Sequence, residues 1–244
     1  MNLKEFTIMT LKQFKKRAIK IAKRGFIKTN RRGDGAAGGC FEDELGLKEN
    51  NESRPDIDNY EIKTVKRNVK GEITGKCTLF TWEGIKNMSD SEILENYGYD
   101  SGWHDGELAF SITAKQSPNS RGFYLNTTDD YLALCDVEDY EIIKWPWDGL
   151  AEKFEKKFPN LLQIIADTKI VKGKNYFHFG ECTLYEGTSG EVFRKVLERD
   201  QGLVMETRLH TRYSEDRVPR NHGMSFRIPH NKFGLLFESS TSLY

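Results

Sequence analysis

Nowhere among the 244 residues is there a run approaching the roughly 20 apolar residues needed to span a membrane. Between Met1 and Lys28, apolar and basic residues alternate without the unbroken apolar core and small-residue cleavage site of a secretory signal, so a cytoplasmic location is expected. Cysteine is scarce. Cys40, Cys77, Cys135 and Cys182 are scattered, with no CxxC pair and no histidine at zinc-ligand spacing, which argues against a disulfide framework and a structural zinc and leaves reduced, packed thiols. Net charge is missing too, with 37 Lys and Arg against 37 Asp and Glu, which excludes a general polycationic coat for nucleic acid. With no internal repeat, low-complexity tract or convincing linker, residues 1–244 are expected to form a single domain.

The charge that is present is unevenly placed. Met1–Gly33 carries eleven Lys or Arg and one Glu, a local +10, so the rest of the chain carries −10. Such a basic end suits local contact with a polyanion. Leu11, Phe14, Ala18, Ile21 and Ala22 recur at helical spacing and predict a helix over 11–24, capped by Thr10 and ended by Gly25, with its lysines on a solvated face. Arg31–Gly39 is too glycine-rich for a regular element and reads as a loop or a close backbone approach, followed by a helical turn or short helix at Cys40–Leu45 carrying Glu42. Tyr60–Val65 and Cys77–Trp82 read as the two arms of a hairpin. Further strands are expected over 107–115, 122–126, 131–137, 141–145, 176–185, 203–212 and 224–228, with helices over 148–157 and 190–199 and an Ile-rich buried strand over 161–171. The mixture is α/β or α+β.

The residues Arg54-Pro55-Asp56-Ile57-Asp58-Asn59-Tyr60-Glu61-Ile62-Lys63-Thr64 place an acid shortly before an acid-x-lysine triplet. In a strand, Glu61 and Lys63 project from one face while Ile62 enters the apolar side, and Asp56 can arrive from the preceding turn. Two convergent carboxylates suit Mg²⁺, and a lysine beside them suits phosphodiester hydrolysis. A triplet of this kind arises about once or twice by chance in a chain of this length, and this one has three. Glu155-x-Lys157 lies in a charged helical run whose side chains diverge, and Asp167-x-Lys169 has no acid closely before it. On the residues alone, the triplet at Glu61 suits either an active site or an ordinary surface hairpin. Asp58 rivals Asp56 as first ligand, its bland alternative being a turn aspartate that accepts backbone hydrogen bonds.

Gly38-Gly39-Cys40-Phe41-Glu42-Asp43-Glu44-Leu45-Gly46, then Pro55-Asp56, then Glu61-Ile62-Lys63-Thr64, resembles the PD-(D/E)XK nucleases of the MvaI/BcnI restriction endonuclease family. The related mismatch-repair nickase MutH shares the outline. Thr78-Leu79-Phe80-Thr81 and Asn221-His222-Gly223-Met224-Ser225-Phe226-Arg227-Ile228 extend the resemblance to about Ile228. It departs at Ala36 and Ala37, which dilute the glycine pattern, and at Cys40, where a small polar residue is expected. The resemblance implies a restriction-endonuclease-like fold, a mixed β-sheet flanked by helices with two lobes around a DNA cleft. The catalytic lobe is expected to centre on 33–145 and the recognition segment on about 203–232. It further implies Asp56 and Glu61 as metal-binding carboxylates, with the Ile62 carbonyl as a further ligand, Lys63 as the catalytic lysine, and Glu42 as a helix glutamate orienting the site or helping a second metal.

Between Thr207 and Lys232, six Lys or Arg stand against Glu215 and Asp216, a local +4. Arginine can pair with the major-groove edge of guanine, and the same residue type positions DNA through phosphate. The resemblance favours His222 and Arg227 as base or backbone contacts, while Arg208, Arg212 and Arg220 remain phosphate or salt-bridge candidates. Trp145-Pro146-Trp147 reads as packing a strand end onto the core. The activity implied is that of a Mg²⁺-dependent type II restriction endonuclease, with Mn²⁺ as substitute. It would act as a monomer on double-stranded DNA at a short pseudopalindromic site, leave 5′-phosphates, and have a cognate DNA methyltransferase encoded nearby. The rival readings are a MutH-like nickase and a DNA-binding protein without catalysis.

Overall fold

The computed structural model describes residues 9–47, 57–68, 70–103, 106–211 and 218–244. Asp56 and Arg212 lie outside the described residues. The chain separates into two compact units, each assembled from distant segments: 1–75, 155–188 and 233–244 in one, 76–154 and 189–232 in the other. Residues 76–145, expected in one lobe with the Glu61 strand, fall in the unit that holds 203–232.

The first unit is built on a five-stranded sheet. Its middle is Leu161–Val171, whose first six residues are all buried. Burying each large aliphatic side chain of such a run contributes about 1.5–3 kcal/mol. Leu161–Val171 pairs antiparallel with Lys174–Glu186 on one side and parallel with Glu61–Arg67 on the other, so Glu61–Arg67 is an edge strand. Ile27–Thr29 and Ser239–Ser242 add to the far side of Lys174–Glu186. One face of this sheet, with Ile62, Leu162, Ile164, Cys182 and Leu184, is covered by Phe14, Ala18 and Ile21 of helix Leu11–Ala22 and by Ala37, Cys40, Phe41 and Leu45 of helix Ala36–Leu45. The first helix starts as its sequence predicts, on a capping box in which Thr10 and Gln13 satisfy each other's backbone N–H groups.

Helix Ala36–Leu45 begins four residues earlier than its glycines suggest. Alanine is the best helix former and here is buried, while Gly39 lets Arg31 lie against the helix. A Cβ on Gly39 would come within 2.5 Å of the Arg31 guanidinium, which reaches one turn further to a two-pronged pair with Asp43 at 2.8 and 2.9 Å. That hydrogen-bonded pairing holds the Asp43 carboxyl below its ordinary range. Cys40 is buried in the core, which accounts for an apolar thiol where a polar residue was expected.

The second unit holds a six-stranded and a four-stranded sheet. In the larger, Lys76–Thr81 pairs with Pro219–Pro229, which pairs with Val204–Thr211, followed by Leu108–Phe110 and Tyr99–Asp100. Ile85–Lys86, Glu141–Pro146, Tyr131–Cys135 and Tyr124–Thr127 form the smaller. Phe80, Phe193 and Trp145 surround Phe226, with ring centroids 5.0, 5.9 and 5.5 Å away. Trp145 is fully buried, and its indole N–H donates to the Trp82 carbonyl at 3.0 Å, the packing role expected of the Trp-Pro-Trp stretch.

The expected hairpin between the strands near 60 and 77 does not form. Glu61–Arg67 takes its partner about a hundred residues away, and Lys76–Thr81 pairs with Pro219–Pro229 in the other unit. The buried run at 161–166, apolar except for Gln163, supplies an edge that buries both faces of a strand pair, and the charged 66–76 connection has nothing comparable to offer.

All four cysteines are buried and unbridged. Burial raises the Cys135 thiol to about 11 and the Cys182 thiol to about 12, so neither is a nucleophile at neutral pH. Among the described residues no helix is long and apolar enough to cross a membrane.

Candidate functional site

The parallel register sets Glu61 opposite Leu161 and Lys63 opposite Gln163, so both charged side chains leave the face turned away from the helical core. This is the same-face arrangement that residue spacing predicts for a strand. Glu61 is 2% exposed, yet charged neighbours surround it. The Lys63 ammonium donates to Glu61 Oε1 at 2.6 Å and sits 5.8 Å from the centroid of the buried Phe158 ring. The Glu61 backbone N–H donates to the Asn160 carbonyl at 3.0 Å, and the Asn160 side-chain amide donates to the Asn59 carbonyl at 3.2 Å. Burying a carboxylate this far from water is costly unless such partners meet it.

A further cation stands at this carboxylate. Lys157, the last residue of helix Trp147–Lys157, lies 3.1 Å from Glu61 Oε2, although that oxygen accepts no well-directed hydrogen bond. Sequence reasoning passed over Lys157 because its triplet belongs to a charged helical run. The signal available was the apolar Phe158 after it and the buried strand beginning at Leu161, which turn the helix end back to the sheet.

Asp58 occupies a left-handed backbone position, φ 47°, in a tight turn where Ile57 and Tyr60 exchange backbone hydrogen bonds of 3.1 and 2.7 Å. Its side chain is exposed, as a turn aspartate's would be. Glu42 is half-buried on helix Ala36–Leu45, which packs against the Glu61–Arg67 strand, and its carboxylate lies across Gly38, where a Cβ would approach to 3.9 Å. The buried side chains of that helix meet the Ile62 face of the sheet rather than the Glu61 face. Among the described residues no three His, Cys, Asp or Glu side chains converge on one point, and Asp56, the expected second carboxylate, lies outside them.

The second group of expected residues lies in the other unit, on Val204–Thr211 and Pro219–Pro229. His210 pairs with Arg220, Glu206 with Ser225 and Val204 with Arg227, and directly paired residues share a face. His222 and Arg227 are five apart, a spacing that would put them on opposite faces of a regular strand. Between the Leu209–Asn221 and Thr207–Met224 pairs, however, the register shifts by one residue. Gly223 takes that bulge at φ +82°, where a Cβ would meet Thr81 Cγ2 at 2.3 Å. The bulge returns Arg208, His210, Arg220, His222 and Arg227 to one polar face over a core of Met205, Leu209, Met224 and Phe226.

On that face, His222 stacks on His210 with centroids 5.4 Å apart and Nε2 atoms 3.2 Å apart. Desolvation, then the charges of Arg220, His210 and Arg208, hold the exposed His222 below its ordinary value. Arg227 pairs with Glu206 and donates to the Lys76 carbonyl at 3.2 Å, while Lys76 reaches the other Glu206 oxygen at 2.7 Å. Burial alone would raise the Glu206 carboxyl, but the two cations outweigh it and hold the group below its ordinary range.

The model of the MvaI/BcnI restriction endonuclease family matches residues 15–237. Among solved structures, the chain is similar to the restriction endonuclease MvaI in complex with its cognate DNA substrate, at 21% identity over 96% of this chain and 98% of that one, with a TM-score of 0.74. It is also similar to restriction endonuclease MvaI in the absence of DNA, at 21% identity over the full length of both and a TM-score of 0.58. No curated protein sequence matches it.

Proposed function

From the premise that the chain belongs to the MvaI/BcnI restriction endonuclease family, we propose that it hydrolyses DNA phosphodiester bonds as a Mg²⁺-dependent type II restriction endonuclease. It would cut at a short pseudopalindromic site and leave 5′-phosphates. The observation that carries this reading is the buried Glu61 carboxylate fixed 2.6 Å from Lys63 on one face of an edge strand.

The donor chemistry fits a hard divalent cation, because Glu61 Oε2 is a buried oxygen without a hydrogen bond. Glu61, with Asp56 and the Ile62 carbonyl, would hold Mg²⁺ or Mn²⁺; when bound, the ion acidifies water and screens phosphate charge. The chain's own contribution is positioning. Lys63, held by Glu61 and by the Phe158 ring, orients the attacking water or balances the negative charge gathering on the phosphoryl oxygens. As the water oxygen bonds to phosphorus, the bond from phosphorus to O3′ breaks and the 3′ oxygen leaves as a hydroxyl. Glu42 is assigned to orienting the site or a second metal. Arg208, Arg220, His222 and Arg227, with Arg212, are assigned to DNA, the shared polar face supporting the first four. The reading carries with it a monomer on double-stranded DNA, a cytoplasmic location and a cognate methyltransferase.

The test is incubation of purified protein with phage DNA and Mg²⁺, followed by sequencing of fragment ends. Double-strand breaks at one short sequence with 5′-phosphates are expected, and EDTA should abolish them. Undiminished cutting in excess EDTA would sink the metal mechanism. Nicks alone would instead favour a MutH-like role, and salt-sensitive binding without cleavage a non-catalytic one.

A further inference from the structure

We propose that Lys157 is a positioning residue of the Glu61 site, its ammonium holding the second carboxylate oxygen in the cation-free protein and competing with a divalent cation for that oxygen. The inference rests on the reading of Glu61 as a cation ligand.

Three observations carry it. Glu61 is almost wholly buried, and its two oxygens are divided between two lysines: Lys63 at 2.6 Å on Oε1 and Lys157 at 3.1 Å on Oε2. Lys63 makes a directed hydrogen bond, whereas the Lys157 contact is an ion pair outside hydrogen-bond geometry. Oε2 therefore has cationic charge beside it and a lone pair uncommitted to any hydrogen bond, the state of an oxygen whose partner can be exchanged. Second, residues 157–160 are tied to the strand beyond the lysine itself, through Phe158 beneath Lys63 and the Asn160 carbonyl that accepts from Glu61 N–H. These ties fix the Lys157 backbone opposite Glu61, and Lys157 stands at a helix C-terminus, where a cation is favoured. Third, the Lys157 side chain is 30% exposed against 2% for Glu61, so the lysine has a route to water that the carboxylate lacks.

A Mg²⁺ ligand oxygen sits about 2.0–2.1 Å from its ion. An ammonium near the same oxygen would stand within a few ångströms of two further positive charges, in surroundings that screen them poorly. Lys157 must then swing outward when a cation enters. A salt bridge with no role beyond holding the fold would leave cation affinity unchanged.

The experiment follows thermal unfolding of the DNA-free protein against CaCl₂, because Ca²⁺ probes carboxylate sites without turnover and a ligand of the folded state raises the melting temperature. Wild type, Lys157→Met, Lys157→Arg and Glu61→Gln are compared. Lys157→Met is expected to melt lower without Ca²⁺ and to begin its rise in melting temperature at a Ca²⁺ concentration lower by roughly fivefold or more. Lys157→Arg should restore the wild-type onset, and Glu61→Gln should lose the response. If Lys157→Met does not fold, Lys157→Gln carries the same expectation with a polar side chain. Equal onsets for wild type and the uncharged variant, with Glu61→Gln unresponsive, would overturn the role of Lys157 and leave the nuclease reading standing. A Ca²⁺ response absent from wild type, or retained by Glu61→Gln, would overturn both.

Discussion

The Glu61 strand and the Val204–Thr211/Pro219–Pro229 pair both present charge suited to a polyanion, but they hold it in different ways. At Glu61 one carboxylate, 2% exposed, is met by two lysines, and the strand carrying it is buried on its other face against two helices. At the strand pair, Arg208, Arg220 and His222 are exposed, and the one arginine that is held, Arg227, is held by Glu206. Desolvated charge costs much when a partner is removed and positions what remains within narrow limits, whereas exposed charge costs little and can adapt. The first arrangement suits bond breaking and the second suits recognition.

The largest expected effect breaks the first arrangement. Glu61→Ala and Lys63→Ala, and Asp56→Ala with them, should each lower the single-turnover cleavage rate by about 10³-fold or more, since each removes charge stabilisation on which phosphoryl transfer depends. Gel-shift affinity in Ca²⁺ should survive in Lys63→Ala with a slight loss. A cleavage rate within tenfold of wild type for Lys63→Ala would remove that residue from the chemistry.

Much of this site could be read from residue order, and the reason is local. Glu61 and Lys63 share a face because they are two apart in a strand, whatever that strand pairs with, and the buried strand Leu161–Val171 announces itself by composition. What could not be read depends on partners distant in sequence. The parallel pairing of Glu61–Arg67 with a strand a hundred residues on leaves no mark near residue 61, so a hairpin with the next strand was the natural expectation. The first four residues of helix Ala36–Leu45 were hidden by glycines, of which Gly39 is the one that Arg31 lies against. Lys157 reaches Glu61 only because the chain reverses after Phe158. At the Val204–Thr211/Pro219–Pro229 pair, the basic composition was legible but not the bulge that brings its members together.

That bulge supplies the second prediction. Gly223→Ala puts a Cβ at φ +82° and 2.3 Å from Thr81 Cγ2. It should destabilise by about 2–3 kcal/mol in urea unfolding, through backbone strain plus the clash. Because His222 and Arg227 share a face only through this bulge, DNA affinity should fall while any cation-dependent response of the Glu61 site stays unchanged. Wild-type stability in Gly223→Ala would mean that the register does not need the left-handed glycine.

Arg227→Ala comes third, with a cost of about 1–3 kcal/mol at one base pair if the residue reads a base. Its pairing with Glu206 complicates the measurement, so Glu206→Gln is the companion: it keeps Arg227 but loosens it, and should change affinity without removing site preference. The pair also carries a pH signature. Glu206 is held below the ordinary carboxylate range, so its contribution to stability is present above the unfolded value and lost as pH falls through the folded one. Arg227→Ala should lessen that acid-side loss. Unchanged site preference and unchanged affinity in Arg227→Ala would take the residue out of the interface.

The smallest effect is expected at Asp58, and its smallness is informative. Its left-handed φ of 47° and exposed side chain in the Ile57–Tyr60 turn make it a residue chosen for backbone conformation. Asp58→Gly should leave cleavage within a few-fold of wild type and change stability by less than about 1 kcal/mol, since glycine adopts that φ freely. Asp58→Ala should be somewhat less stable than Asp58→Gly because alanine resists positive φ, yet remain active. A metal ligand would behave in the opposite manner: glycine and alanine would be equally inactive, and cleavage would track loss of the carboxylate rather than the backbone preference of its replacement. Single-turnover rates for Asp58→Gly and Asp58→Ala beside Asp56→Ala decide between the two. Should both Asp58 variants be inert while Asp56→Ala still cuts, the nuclease would stand and its first metal ligand would move by two residues.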